Sequence, residues 1–60
     1  MTVDHNAQRR REEFEQGYKD GFHSVQGNVI TPHAPHVVLE VGRSPYDQGY
    51  AYGVRDSGGN

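Results

Sequence analysis

The sequence contains no cysteine and no tryptophan among its 60 residues. Without cysteine, the chain can form neither a disulfide nor a thiolate zinc site. Its aromatic residues are two phenylalanines and four tyrosines, and hydrophobic residues make up only 32% of the chain. A chain this short buries only about 60% of the surface that its unfolded form exposes, so its core is marginal. The composition therefore predicts that self-association or a partner protein completes the fold.

A strong charge of one sign and long apolar runs are also missing. The formal net charge is -2 and the pI is about 6.0, which gives no overall positive field for binding free DNA or anionic lipid. No apolar run approaches the ~20 residues that span a bilayer. The start, "MTVDHNAQRRRE", lacks the apolar region of a signal peptide. We therefore expect a cytoplasmic protein that binds neither free DNA nor a membrane.

The first half of the sequence has the periodicity of an amphipathic helix. Between Asn6 and about Val25, apolar side chains return to one helical face. These residues are Ala7, Phe14, Tyr18, Phe22 and Val25. Asp4 or Asn6 can cap the start, and Gly27 is a typical C-terminal glycine. The charged run "RRREEFE" is interpreted as a solvated helix face, the alternative being a binding role.

The middle of the chain is rich in β-branched residues, and a second helix follows it. "NVIT" and "HVVLEVG" predict two short strands in a hairpin or at a sheet edge, separated by the proline-containing "TPHAPH". Ser44 and Pro45 then form a helix start signal, and the helix is expected to end by about Asp56. The predicted fold class is α+β: helix, two short strands, helix. We expect one small domain over residues 6–56, with flexible segments at 1–5 and 57–60.

A nine-residue phrase occurs twice, as "FEQGYKDGF" at 14–22 and as "YDQGYAYGV" at 46–54. An offset of 32 aligns four identical pairs, which are Gln16/Gln48, Gly17/Gly49, Tyr18/Tyr50 and Gly21/Gly53. Glycine inside a helix costs roughly 0.5–1 kcal/mol relative to alanine, so these four need compensation. Glycines four apart leave a groove on one helical face. We predict that the helices pack through these faces, on one another or on a second chain, with an approximate internal two-fold; the alternative is that the glycines are loop residues.

The phrases "QGYKDG", "SPY" and "QGYAYG" resemble the ribosome modulation factor family and similar small bacterial and phage proteins. The resemblance covers about 20 of the 60 residues. It implies a factor that binds the small ribosomal subunit and promotes inactive ribosome dimers. This chain departs from the family in being acidic where the family is strongly basic, and in its β-rich middle.

Few residues suggest catalysis or metal binding. Ser24 and Ser57 have no local partner pattern, so no catalytic residues are predicted and the chain is not expected to be an enzyme. His33 and His36, with His5 or His23 as a third ligand, form the only suggestive metal set. Exposed turn histidines are the preferred interpretation, and no metal or cofactor is predicted.

The sequence thus predicts a small, non-enzymatic interaction or regulatory protein that docks on a larger host protein, as a homodimer. A ribosome-associated modulation factor is the first alternative, and a small metal-binding domain is the second. The expected interface and packing residues are Phe14, Gly17, Tyr18, Gly21, Phe22, Val37, Val38, Leu39, Val41, Tyr46, Gly49, Tyr50, Tyr52 and Gly53.

Overall fold

The computed structural model describes residues 5–58, apart from the side chain of His5. Two helices lie in this range, α1 at His5–Gln26 and α2 at Pro45–Asp56. Residues 27–44 connect them and are called the linker below. The predicted flexible ends fall largely outside the described residues, but Ser57 is described and is buried.

The predicted α+β fold is wrong, because the described residues contain two helices and no strand. The linker segments "NVIT" and "HVVLEVG" run without regular secondary structure. β-branched residues favour an extended backbone, but a strand also needs a second extended segment as its ladder partner. Here the polar side chains of the helices take that place and bind the linker backbone directly. Pro32 and Pro35, which have no N–H to donate, interrupt the segment between the two expected strands.

The helix ends lie close to where the sequence signals place them. Gly27 follows α1 with a φ of 82°, and its N–H donates to the carbonyl of His23 at 2.8 Å. Ser44 is the N-cap of α2 and Pro45 its first residue, although the Ser44 side chain makes no capping hydrogen bond. The Ser44 carbonyl instead accepts from the Gln48 N–H at 3.0 Å. Asn6 lies within α1, and Asp4 lies outside the described residues.

The two helices run parallel and cross at their glycines. A Cβ built on Gly17 would meet the backbone of Tyr46 and Tyr50, whereas one built on Gly53 would meet the backbone of Tyr18 and Phe22. Residues further along α1 therefore contact residues further along α2, which is the signature of a parallel pair. A chain that forms a parallel helix pair must return from the end of α1 to the start of α2, and the linker makes this return.

The crossing repeats itself about an internal two-fold. Gly17 faces the carbonyl of Tyr46, and Gly49 faces the carbonyl of Phe14, so the same contact is made twice at an offset of 32 residues. In the same way, Gly21 faces the carbonyl of Tyr50 and Gly53 faces the carbonyl of Tyr18. All four built Cβ atoms would lie well inside 3.0 Å of the facing carbonyl oxygen. The glycines thus allow the two backbones to touch, with each α-hydrogen directed at a carbonyl of the other helix.

The linker runs back along the helix pair as an extended strap. Its early residue Val29 accepts a hydrogen bond from His23 Nε2 at 2.8 Å, and its middle residue Pro35 accepts one from Arg11 at 2.9 Å. The helical path from residue 11 to residue 23 covers twelve residue steps and spans about 18 Å. The extended path from residue 29 to residue 35 covers six steps and spans about 20 Å. The two lengths agree, so the linker is close to fully extended over this stretch.

Candidate interaction surface

The two sides of the helix pair are related by the two-fold but are covered differently. On α1, Phe14, Tyr18 and Phe22 lie on one side of the glycine line, and Gln16 and Asp20 lie on the other. Because the helices are parallel and related by a two-fold, the Phe14 side of α1 faces the Gln48 side of α2. We call this side the covered groove; it is lined by Phe14, Tyr18, Phe22, Gln48 and Tyr52. The opposite side is the open groove; it is lined by Gln16, Asp20, Tyr46, Tyr50 and Val54.

Contacts across the pair agree with this assignment. In the covered groove, the rings of Phe14 and Tyr52 lie 5.8 Å apart. In the open groove, the hydroxyl of Tyr46 donates to Asp20 Oδ2. Tyr46 is the two-fold equivalent of Phe14, and Asp20 that of Tyr52, so the same pair of positions meets on both sides.

The core lies in the covered groove. Among the described residues, Phe14 is fully buried, and Tyr18 and Phe22 are 3% and 8% exposed. Gln48 is 1% exposed beside them. The structure therefore brings together the glycines and most of the aromatic residues that the repeat predicts for packing. It does not place all the tyrosines there, since Tyr50 is 37% exposed.

Gln48 holds the linker in the covered groove. Its Nε2 donates to the Val38 carbonyl at 3.0 Å, and its Oε1 accepts from the Glu40 N–H at 3.0 Å. A backbone amide in a neighbouring parallel strand would bind the residues on either side of Leu39 in the same way. The side-chain amide thus replaces the missing ladder partner. The sequence shows this residue only as one member of the identical pair Gln16/Gln48, so its role was missed.

Arg11 makes a second attachment of the linker. Its guanidinium donates to the carbonyls of Ala34 and Pro35 at 3.0 and 2.9 Å. It also pairs with Glu15 at 3.1 Å and lies 5.2 Å from the centre of the Phe14 ring. The charged run at the start of α1 therefore does more than solvate the helix, because one of its arginines positions the linker over the core.

The predicted interface residues of the linker divide into two sets. Val37 and Leu39 are half-buried towards the helices, whereas Val38 and Val41 are 89% and 97% exposed. Ile30, at the other end of the linker, is 98% exposed. Alternation along the extended segment separates Val38 from Val37 and Leu39, because successive side chains point to opposite faces. Val41 is exposed for a different reason, since it lies in the turn that follows this segment.

Two tyrosines hydrogen-bond to carboxylates and titrate above their usual range. Burial, together with the hydrogen bond that its hydroxyl donates to Asp56 at 2.8 Å, raises the pKa of Tyr18 to about 12. The hydrogen bond to Asp20, followed by burial, raises the pKa of Tyr46. Both groups keep their protons at neutral pH and act as donors. These bonds tie α1 to α2 on both sides of the glycine crossing.

The residues considered for chemistry are spread over the molecule. Ser24 and Ser57 donate their hydroxyl hydrogens to the carbonyls of Gly21 and Val54. His33 and His36 are exposed on the linker. Across residues 6–58, the side chains of histidine, aspartate and glutamate form no group of three that could hold a metal ion. The side chain of His5 lies outside the described part.

A cleft of about 200 Å³ between the linker and α2 has two arginines in its wall, Arg43 and Arg55. Arg43 in its wall pairs with Glu40 at 3.2 Å, and Arg55 pairs with Asp56 at 3.3 Å. The Arg55 guanidinium also lies 4.3 Å from the centre of the Tyr52 ring. Each arginine is thus already matched by a carboxylate of the chain.

Comparison with protein-family models, with curated proteins and with solved structures finds no match for this chain. The resemblance to the ribosome modulation factor family therefore stays a prediction that rests on the quoted phrases alone. Neither described helix is long and apolar enough to cross a membrane.

Proposed function

We propose that this protein is a non-enzymatic interaction module of the cytoplasm that forms a homodimer through its linker and docks on a host protein in that form. The observation that carries the proposal is the exposure of Val38 and Val41, at 89% and 97%. Aliphatic side chains are normally the first to be buried. In this chain they lie outside a core made of three aromatic residues, which favours a surface that is covered in the working state.

The second copy is the favoured occupant because the linker also offers an unpaired backbone edge. Gln48 binds the edge that presents the Val38 carbonyl and the Glu40 N–H. The other edge presents the N–H and carbonyl groups of Val37 and Leu39, which have no hydrogen-bond partner among the described residues. An extended segment with a free edge can pair with a copy of itself across a two-fold.

The expected dimer is weak. Complete burial of a valine side chain stabilises by about 1.5–3 kcal/mol, so Val38 and Val41 from two copies supply about 6–12 kcal/mol. The loss of translational and rotational freedom on association costs about 4–15 kcal/mol. The two terms are of similar size, so the backbone pairing decides the balance. We expect dissociation between the micromolar and the millimolar range.

Sedimentation equilibrium over a concentration series tests the proposal. The native chain should pass from monomer to dimer as its concentration rises, and Val38→Lys should remain monomeric. His33→Lys is the matched control, since it places the same charge at an exposed linker position outside the paired stretch and should dimerise normally. A native chain that stays monomeric at millimolar concentration, or a Val38→Lys variant that dimerises as well as the control, would refute the dimer.

Binding to the ribosome is the less favoured alternative. Ribosomal RNA would have to be bound by the arginine run of α1. Arg11 is occupied by the linker carbonyls and Glu15, and Arg10 lies 3.5 Å from the Glu40 carbonyl. Phosphate binding falls steeply with salt, whereas an apolar interface does not. Co-sedimentation with small ribosomal subunits at two salt concentrations separates the two functions.

A further inference from the structure

The internal two-fold creates two equivalent grooves, and the linker fills only one of them. Tyr18 in the covered groove is 3% exposed, and its equivalent Tyr50 in the open groove is 37% exposed. Gln48 is 1% exposed, whereas its equivalent Gln16 is exposed. The open groove is therefore the two-fold equivalent of a groove that holds an extended segment of this chain, and its Gln16 and Tyr50 side chains stay exposed.

The chain itself shows which ligand such a groove accepts. In the covered groove, the amide of Gln48 bridges residues 38 and 40 of an extended, β-branched stretch, with both hydrogen bonds at 3.0 Å. In the open groove, Gln16 Nε2 donates to Asp20 at 3.0 Å within its own helix. This hydrogen bond is exposed and contributes only about 0.5–1.5 kcal/mol net, so a ligand can replace it. A rotated Gln16 side chain would offer the same donor and acceptor pair as Gln48.

We infer that the open groove is a binding site for an extended segment of a partner protein, which Gln16 holds as Gln48 holds the linker. The β-branched side chains of this segment pack against Tyr46 and Tyr50. Its backbone offers Gln16 the N–H of one residue and the carbonyl of the residue two positions earlier. This is recognition by strand addition, with a side-chain amide in place of a sheet edge.

Charge distinguishes this ligand from the linker. The open groove carries Glu13 and Asp20, where the covered groove carries Pro45 and Tyr52 at the equivalent positions. The Asp20 carboxylate is half-buried and accepts from Tyr46. A basic side chain beside the β-branched residues would complement these carboxylates. The partner segment is therefore extended, apolar and basic, in contrast to the acidic linker stretch "VVLEV".

A synthetic peptide provides the probe. Its sequence is that of residues 34–41 with lysine at the position of Glu40, and it is titrated into the 15N-labelled full chain while NMR spectra are recorded. We expect saturable shifts of the Gln16 side-chain amide and of the Tyr50 backbone amide. The Gln16→Ala variant should bind roughly tenfold more weakly, since two hydrogen bonds are lost. Gln8→Ala, the same change at an exposed position on the same helix, should bind normally.

Two results would overturn the inference. One is the absence of saturable shifts at millimolar peptide. The other is a set of shifts centred on Gln48 and Arg11, which would mean that the peptide replaces the linker in the covered groove. The peptide with the native Glu40 should bind several-fold more weakly than the lysine peptide. Equal affinity of the two peptides would contradict the inference that the partner segment is basic. The Val38→Lys variant should bind the lysine peptide with the same affinity as the native chain. The test of the dimer and the test of peptide binding in the open groove can therefore fail independently.

Discussion

Replacing Gly49 by alanine provides the most direct test of the helix crossing. In an isolated helix this change stabilises, because alanine exceeds glycine in helix propensity by about 1 kcal/mol. Here the added Cβ would lie well inside 3.0 Å of the Phe14 carbonyl oxygen, a backbone atom. Neither partner can avoid the clash by a side-chain rotation, so the two helices must move apart by about 1 Å.

The cost of this movement can be estimated from the contacts that it breaks. Each α-hydrogen directed at a carbonyl contributes about 0.5–1 kcal/mol, so the four contacts of the crossing supply about 2–4 kcal/mol. After subtracting the gain in helix propensity, the net destabilisation is about 1–3 kcal/mol. In a domain of this size, 1 kcal/mol shifts Tm by about 4–8 °C, so the expected fall is about 5–25 °C.

Thermal and urea unfolding, followed by far-ultraviolet circular dichroism, measure this effect. Ala51→Gly is the matched control, because Ala51 is exposed on the same helix and the reverse change there reports propensity alone. Gly17→Ala and Gly49→Ala combined should destabilise by less than the sum of the single changes, since the first already separates the helices. A rise in Tm for Gly49→Ala would refute the close backbone approach.

Two further predictions concern side chains at the crossing. Gln48→Ala leaves two linker backbone groups without their partner and should lower the free energy of unfolding by about 1–3 kcal/mol. The equivalent change at the exposed Gln16, Gln16→Ala, should lower it by less than about 0.5 kcal/mol. Equal effects of the two changes in urea titrations would contradict the role of Gln48. The raised pKa of Tyr18, about 12 against an ordinary 10.0, means that the neutral phenol stabilises the fold. That contribution is fully present below pH 10 and is lost as the pH rises towards 12. Melting curves from pH 8 to 12 should therefore show a smaller alkaline loss for Tyr18→Phe than for the native chain, while Tyr50→Phe, an exposed control, should follow the native curve.

The helices could be predicted from local signals, and the linker could not. Pro45 and Gly27 act through their own backbone preferences, which do not depend on the rest of the chain. Val37 and Val38 carry an equally local preference for extended geometry, but pairing into a hairpin depends on a distant partner. The partner proved to be the amide of Gln48, and no residue pattern distinguishes a glutamine that binds backbone from one that faces solvent.

The direction of the helices was also beyond the sequence. Two copies of one phrase can meet through their glycines in either a parallel or an antiparallel helix pair, because a two-fold axis can relate the two copies in both arrangements. Short connections favour antiparallel neighbours, and the linker of residues 27–44 is long enough for the parallel pair. Gly17, Gly21, Gly49 and Gly53 lie where the two backbones approach each other, but the repeat alone does not say that one groove is filled and the other open.

The parallel crossing makes the folding reaction of this helical protein depend on long-range contacts. Even the hydrogen bond between Tyr46 and Asp20 joins residues that are 26 positions apart, so the helices meet only after a long stretch of chain has closed. Loop closure over 26 residues costs about 3 kcal/mol by the logarithmic length term alone. A helical hairpin with a short turn avoids most of this cost and gains its first interhelical contacts locally. This chain is therefore expected to fold more slowly than other helical proteins of its length.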